Sequence, residues 1–198
     1  MHLSDTLLSL GAEVHATIDS APIEPRIHKP VIDILTKNVS NWTWDVADYD
    51  SSGILKIIDE VKPEVIFHTI GLVNVLTQDL YGSLNANTIS IVNLCHAIIQ
   101  SKNQPIVIIS STDKVYGKCQ EAKEDTPMKS GSLYQTTKIC GDLLVQMFLS
   151  EFNIRGMIMR SANFYGPYDW HQERLIPTCI LSCLEDNPIQ FRSDGKQV

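Results

Sequence analysis

The amino-acid sequence predicts an α/β fold with a parallel, doubly wound sheet. Three observations carry that expectation. Strand-like and helix-like segments alternate along the chain. The strand candidates are short apolar runs, EVIFHTI at 64–70 and PIVIISS at 105–111, as expected of strands covered on both faces. The helix candidates stop at glycine or proline, at Gly11 and Pro63. Alternation of this kind implies parallel strands joined by crossover helices.

In chain order, LSDTLLSL at 3–10 carries apolar residues at helical spacing and ends at Gly11, a good helix terminator. AEVHATID then reads as a strand ending in Asp19. A loop with Pro22, Pro25 and Pro30 leads to a short strand, VSNWTW, that ends at Asp45-Val46. A helix from Ile54 to Val61 is stopped by Pro63, and the strand EVIFHTI follows. Next come a helix from about Asn87 to Ser101, a strand at 105–111, a loop at 112–132, a helix at 133–152 and the strand IRGMIMRS. After Pro188, IQFRSDGKQV has the look of a strand entering a further segment.

Bulk properties exclude several classes. A net charge of −7 argues against a sequence-independent grip on nucleic acid or on an anionic membrane. No apolar run approaches the roughly 20 residues of a membrane span, so the expected location is cytoplasmic. Cys95, Cys119, Cys140, Cys179 and Cys183 form neither a Cys-x-x-Cys pair nor an even disulfide framework, so reduced thiols and no metal are expected. Cys179 and Cys183, one turn apart, are read as the buried face of a helix.

The chemistry concentrates in two stretches. In YQTTK, Tyr134 and Lys138 are four residues apart and share a helix face. A tyrosine is a poor base at its reference pKa of about 10, so it needs a cation and a hydroxyl partner. Lys138 supplies the first, and Thr112, just past the strand at 105–111, supplies the second. Ligands of open α/β sheets bind at the carboxyl ends of the strands, where Thr112 lies. Such a site suits redox chemistry on an alcohol carbon. His68, at a strand end, is either a satisfied interior imidazole or a cofactor-side residue. An acid closing an early strand is what a dinucleotide fold uses to hold the adenosine ribose, which makes Asp19 a candidate. Asp45-Val46 is a second, with Asp45 near the adenine edge. A dinucleotide fold also opens with a strand and a glycine-rich turn. The first segment here reads as the first helix. The expectation is therefore a Rossmann-like sheet lacking its first strand and glycine-rich turn, in a chain truncated at both ends.

Taken in order, PEVIFHTIG, NTISIVNLCHA, SSTDKVYG, YQTTK and RSANFYGPYDWHQERLIP resemble the extended short-chain dehydrogenase/reductase family, specifically its NAD-dependent sugar-nucleotide epimerases and 4,6-dehydratases. The resemblance implies NAD as cofactor and a nucleotide sugar as substrate. It implies a partial NAD-binding domain over 1–162 and the start of a substrate-binding region over 163–198. Tyr134 becomes the base on the carbon-4 hydroxyl, Thr112 its hydrogen-bonding neighbour, and Lys138 the partner that also holds the nicotinamide ribose. Asp113 protonates the departing carbon-6 hydroxyl and Lys114 removes the carbon-5 proton. Lysine at 114, together with YDWHQERLIP, resembles the CDP-glucose type of 4,6-dehydratase. A lysine must shed its proton to act as a base, which calls for burial or a nearby cation. Asn163 contacts the substrate, Arg174 meets the diphosphate with bidentate hydrogen bonds, and Arg192 is a further phosphate partner. Asn87 matches an asparagine that opens the helix beside the cofactor, with capping as its first role. Where the family usually has two alanines after the strand-end histidine, Thr69-Ile70-Gly71 brings a bulkier Ile70 toward the cofactor. A homodimer through the Tyr134 helix and its neighbour is also implied. The alternatives are a 4-epimerase, which needs only Thr112, Tyr134 and Lys138, and a non-catalytic fragment or scaffold of the same fold.

Overall fold

The computed structural model describes residues 2–19, 40–44, 49–73, 78–166, 169 and 174–189. The chain forms two compact units. One comprises Met1–Ala16, Pro22–Trp42 and Asn163–Val198; the other comprises Thr17–Ala21 and Thr43–Ala162.

The described elements follow the expected alternation. Helix α1 (His2–Ser9) gives way at Gly11, whose φ of 84° suits a residue without a Cβ. Strands β1 (His15–Asp19) and β2 (Ser40–Trp44) form a two-stranded sheet. Helix α2 (Ser51–Val61) is longer than expected at its start because Asp50 caps it, its Oδ1 accepting the Gly53 amide at 2.7 Å. It ends on Lys62 in the left-handed region, directly before Pro63.

The second sheet is parallel, in the order β3 (Val65–His68), β4 (Ile106–Thr112), β5 (Gly156–Ser161). Alternation along β4 sends Val107 and Ile109 into the core, where Ile54 and Ile58 of α2 and Val145 and Phe148 of the long helix after β4 also lie. Gly156 opens β5 opposite Val107, and a Cβ there would stand 2.3 Å from the Val107 carbonyl oxygen. The opposite face of this sheet shows Ile106 and Met157 exposed.

Between β3 and β4 the structure departs from the sequence reading. The helix begins at Leu80, not near Asn87. It runs as α3 (Leu80–Leu84), a π-helical turn (Asn85–Ile89) and α4 (Ser90–Gln100). Asp79 caps it, accepting the Gly82 amide at 2.9 Å. Helix α5 (Leu133–Glu151) is capped by Ser132, which accepts the Gln135 amide at 3.2 Å. Helix α6 (Leu175–Leu184) carries Cys179 and Cys183, yet Cys183 is exposed, so the buried cysteine face expected there does not form. Among the described residues no helix is long and apolar enough to cross a membrane.

Candidate active site

The carboxyl end of β4 and the first turns of α5 build the site. Starting α5 at the Ser132 cap puts Tyr134 in its first turn, Lys138 one turn later and Asp142 one turn after that, all on a single buried face. Thr112, the last residue of β4, lies close enough to the Tyr134 phenol to pull its pKa down. The sequence-predicted trio is therefore assembled. Burial pushes the Tyr134 phenol above its ordinary range; the Thr112 hydroxyl pulls it back only in part, and the Asp113 carboxylate adds to the rise. Lys138 donates from Nζ to the Ser110 carbonyl at 2.8 Å. Burial lowers the pKa of its ammonium, against the opposing pull of Asp142.

Directly after β4, Asp113–Tyr116 form a single 3-10 turn. Thr112 Oγ1 donates to Asp113 Oδ1 at 3.1 Å and accepts the Lys114 amide at 3.3 Å, so the hydroxyl beside the phenol also fixes the start of the turn. Gln135 reaches across from α5 and donates to the Lys114 carbonyl at 3.1 Å. The Lys114 ammonium lies 3.8 Å from the Asp113 carboxylate with 36% of its side chain exposed, so the burial expected of a lysine base is not what this turn provides.

The floor of the site is the segment after β3. His68 is 3% exposed, and among the described residues neither ring nitrogen has a hydrogen-bond partner. Burial, assisted by the Lys138 charge, lowers its pKa to about 4, so the imidazole is neutral. The imidazole is therefore interior, at the carboxyl end of β3. Asn87 is the clearest correction. Instead of capping a helix, it sits inside the π-helical turn, 1% exposed; Oδ1 accepts the Leu72 amide at 2.9 Å and Nδ2 donates to Thr137 Oγ1 at 3.0 Å. It thereby ties the stretch after β3 to α5. Gly71 lies against this junction, where a Cβ would stand 3.2 Å from Asn87 Oδ1 and 3.8 Å from Lys138 Nζ. The glycine in Thr69-Ile70-Gly71 is thus placed where a side chain would crowd Asn87 and touch Lys138.

Other expected residues belong to the other unit or fall outside the described residues. Asn163 is exposed in the other unit. Arg174, in that unit too, pairs with Asp169 at 3.4 Å. Asp19 closes β1, but its side chain lies outside the described residues, as do Asp45, Val46 and Arg192 entirely. The sequence reading also missed a charged network behind the site. Arg160 on β5 makes a bidentate pair with Asp142, from Nε to Oδ2 at 2.9 Å and from Nη2 to Oδ1 at 2.8 Å. Burial alone would raise the Asp142 carboxyl, but hydrogen bonds from Arg160, Gln146 and Ser111 outweigh it and hold it below its usual range. The helical spacing of Tyr134, Lys138 and Asp142 was the available signal.

Buried polar atoms around Lys138 and a glycine that keeps the backbone open are features that fit a dinucleotide laid across the strand ends. Comparison with known proteins agrees. The model of the NAD dependent epimerase/dehydratase family matches residues 1–198. CDP-glucose 4,6-dehydratase of Salmonella typhimurium is 26% identical over 201 residues, which cover 93% of this chain and 54% of the relative. dTDP-glucose 4,6-dehydratase of Xanthomonas campestris is 37% identical over 91 residues, covering 44% of this chain and 26% of the relative. A solved structure of UDP-glucuronic acid 4-epimerase from Bacillus cereus in complex with NAD superposes with a TM-score of 0.81 at 26% identity, over 99% of this chain and 63% of that one. The chain thus spans about half the length of the first of these curated relatives.

Proposed function

The chain belongs to the NAD dependent epimerase/dehydratase family, and from that premise we propose that it carries the catalytic residues of a sugar-nucleotide 4,6-dehydratase of the CDP-glucose type. The observation that carries the reading is the turn Asp113–Tyr116, which sets an acid and an amine beside the Thr112-Tyr134 pair. NAD, the family's cofactor, supplies a hydride acceptor and donor and a positive ring. Lys138, the Gly71-Leu72 backbone and His68 are the residues of this chain that would hold it.

Each protein group then has one task. Tyr134 takes the proton of the carbon-4 hydroxyl, with Thr112 hydrogen-bonding the same oxygen. Because burial favours the protonated phenol, this base needs added positive charge in the site before it can act. A ketone at carbon 4 acidifies the proton on carbon 5. Lys114 removes that proton while Asp113 gives one to the leaving carbon-6 hydroxyl, so one water departs and a carbon-5/carbon-6 double bond forms; return of the hydride to carbon 6 and of the Lys114 proton to carbon 5 would then leave a 4-keto-6-deoxy sugar, lighter than the substrate by one water. Asn163, Arg174 and Arg192 are assigned to the nucleotide-sugar side, and Asp19 and Asp45-Val46 to the adenosine side. In this reading 1–162 is the cofactor domain, 163–198 opens the substrate region, and two copies pair through α5 and its neighbour α4. The match to the CDP-glucose enzyme supports the nucleotide assignment.

A 4-epimerase is the second reading. It is favoured by the incomplete burial of Lys114 and by the likeness to the UDP-glucuronic acid 4-epimerase. The two are separated by incubating the protein with NAD and CDP-glucose and weighing the product by mass spectrometry. A sugar nucleotide lighter by one water is expected; an isomer of unchanged mass would establish the epimerase instead.

A further inference from the structure

We propose that Arg160, anchored on Asp142, is a positioning residue that holds the turn bearing Asp113 and Lys114 in register with the helix bearing Tyr134 and Lys138. The inference rests on the dehydratase reading, in which the two pairs serve different steps.

The need for such a device follows from the architecture. Tyr134 and Lys138 ride on a helix of nineteen residues, whereas Asp113 and Lys114 sit on a four-residue turn. Gly117, in the left-handed region, ends that turn, donating its amide to the Lys114 carbonyl at 3.1 Å. An isolated turn of this length has little internal rigidity. A single guanidinium supplies it. One edge of Arg160 grips Asp142 through the bidentate pair. Nη1, on the other edge, donates to Tyr116 Oη at 2.8 Å and to the Glu124 carbonyl at 2.9 Å, and the guanidinium carbon lies 5.4 Å from the Tyr116 ring centre.

Strand register makes the grip specific. Ser111 and Arg160 are partners across β4 and β5, and both side chains converge on Asp142, with Ser111 Oγ donating to Oδ2 at 2.8 Å. Gln146 adds a bond to Oδ1 at 2.8 Å. Asp142 therefore ties the helix to both strands, and Arg160 extends that tie to Tyr116, the last residue of the turn. Lys114 is held on the other side by Gln135, so the turn is clamped from two directions.

Truncating Arg160 or Asp142 would leave its partner's charge buried and unpaired, which threatens folding. Tyr116→Phe removes only the hydroxyl that the guanidinium reaches. Two readouts are taken on it. In hydrogen exchange, the Gly117 amide should exchange about tenfold faster while Val145 in α5 keeps its protection. In single-turnover assays with NAD and CDP-glucose, water loss should slow about tenfold relative to carbon-4 oxidation, with KM unchanged. Unaltered exchange at Gly117, or equal acceleration at Gly117 and Val145, would overturn the proposal. So would equal slowing of both chemical steps. If the wild-type protein yields an epimer rather than a dehydrated sugar, the dehydratase reading falls, and the exchange experiment alone decides whether Arg160 fixes the turn.

Discussion

Thr112 shows how much one residue carries here. Its hydroxyl lies beside the Tyr134 phenol, donates to Asp113 and accepts the Lys114 amide, so in the proposed mechanism the step at carbon 4 and the steps at carbons 5 and 6 share one hinge. The proposed division of labour is tested by Asp113→Asn, which keeps the shape and removes the acid. Water loss should fall about a hundredfold while carbon-4 oxidation stays within about threefold, as separate assays of the two steps would read. Most of this residue set was legible because a hydroxyl after an apolar strand and a Tyr-Lys pair at helical spacing are local patterns. Asn87 was misread because the capping preference of asparagine is local, whereas its actual partners, Leu72 and Thr137, are set by tertiary packing. Arg160 and Asp142 went unread for the same reason: eighteen residues separate them, and only the packing of α5 against β5 brings them together.

At the level of elements, the site depends on how closely α5 approaches the π-helical turn. Gly141 lies at that contact; a Cβ there would stand 2.3 Å from the Asn87 carbonyl oxygen and 2.8 Å from Ile91 Cδ1. Alanine would gain up to about 1 kcal/mol of helix propensity. The clash is with backbone, which cannot swing aside, and overpacking of this kind costs about 1–3 kcal/mol. Gly141→Ala should therefore lower stability in urea unfolding and weaken turnover as α5 shifts; a gain in stability would show that the helices can part freely. Strand and helix types followed from hydrophobic pattern, since β4 and the buried face of α2 are unambiguous. Boundaries did not. The early start at Leu80 depends on the Asp79 cap and a π-helical turn that no periodicity announces, because a helix of this kind slips its hydrophobic phase by a residue.

For the molecule as a whole, His68 sets a pH limit on folding. Its folded pKa of about 4 lies below the ordinary 6.5, so the unfolded chain binds the proton first. Stability is present above pH 6.5 and is lost as pH falls through that window to about 4, by about 3 kcal/mol in total. Urea unfolding across that range should show the decline in the wild-type protein, and His68→Leu should flatten it; an identical slope in both would place the loss on other groups. The parallel sheet and its NAD-dependent family were readable from strand order and the Tyr-Lys and Thr-Asp-Lys stretches together, because each alone is common and the combination is not. The residues on the substrate side were less so, since Asn163 and Arg174 belong to a unit separate from that of Tyr134. What most directly tests the site is Tyr134→Phe, assayed for turnover of CDP-glucose and for NAD affinity by calorimetry. A fall in turnover of about a thousandfold, with NAD affinity within about twofold of the wild type, is the expected result; unchanged turnover would show that the proton of the carbon-4 hydroxyl goes elsewhere.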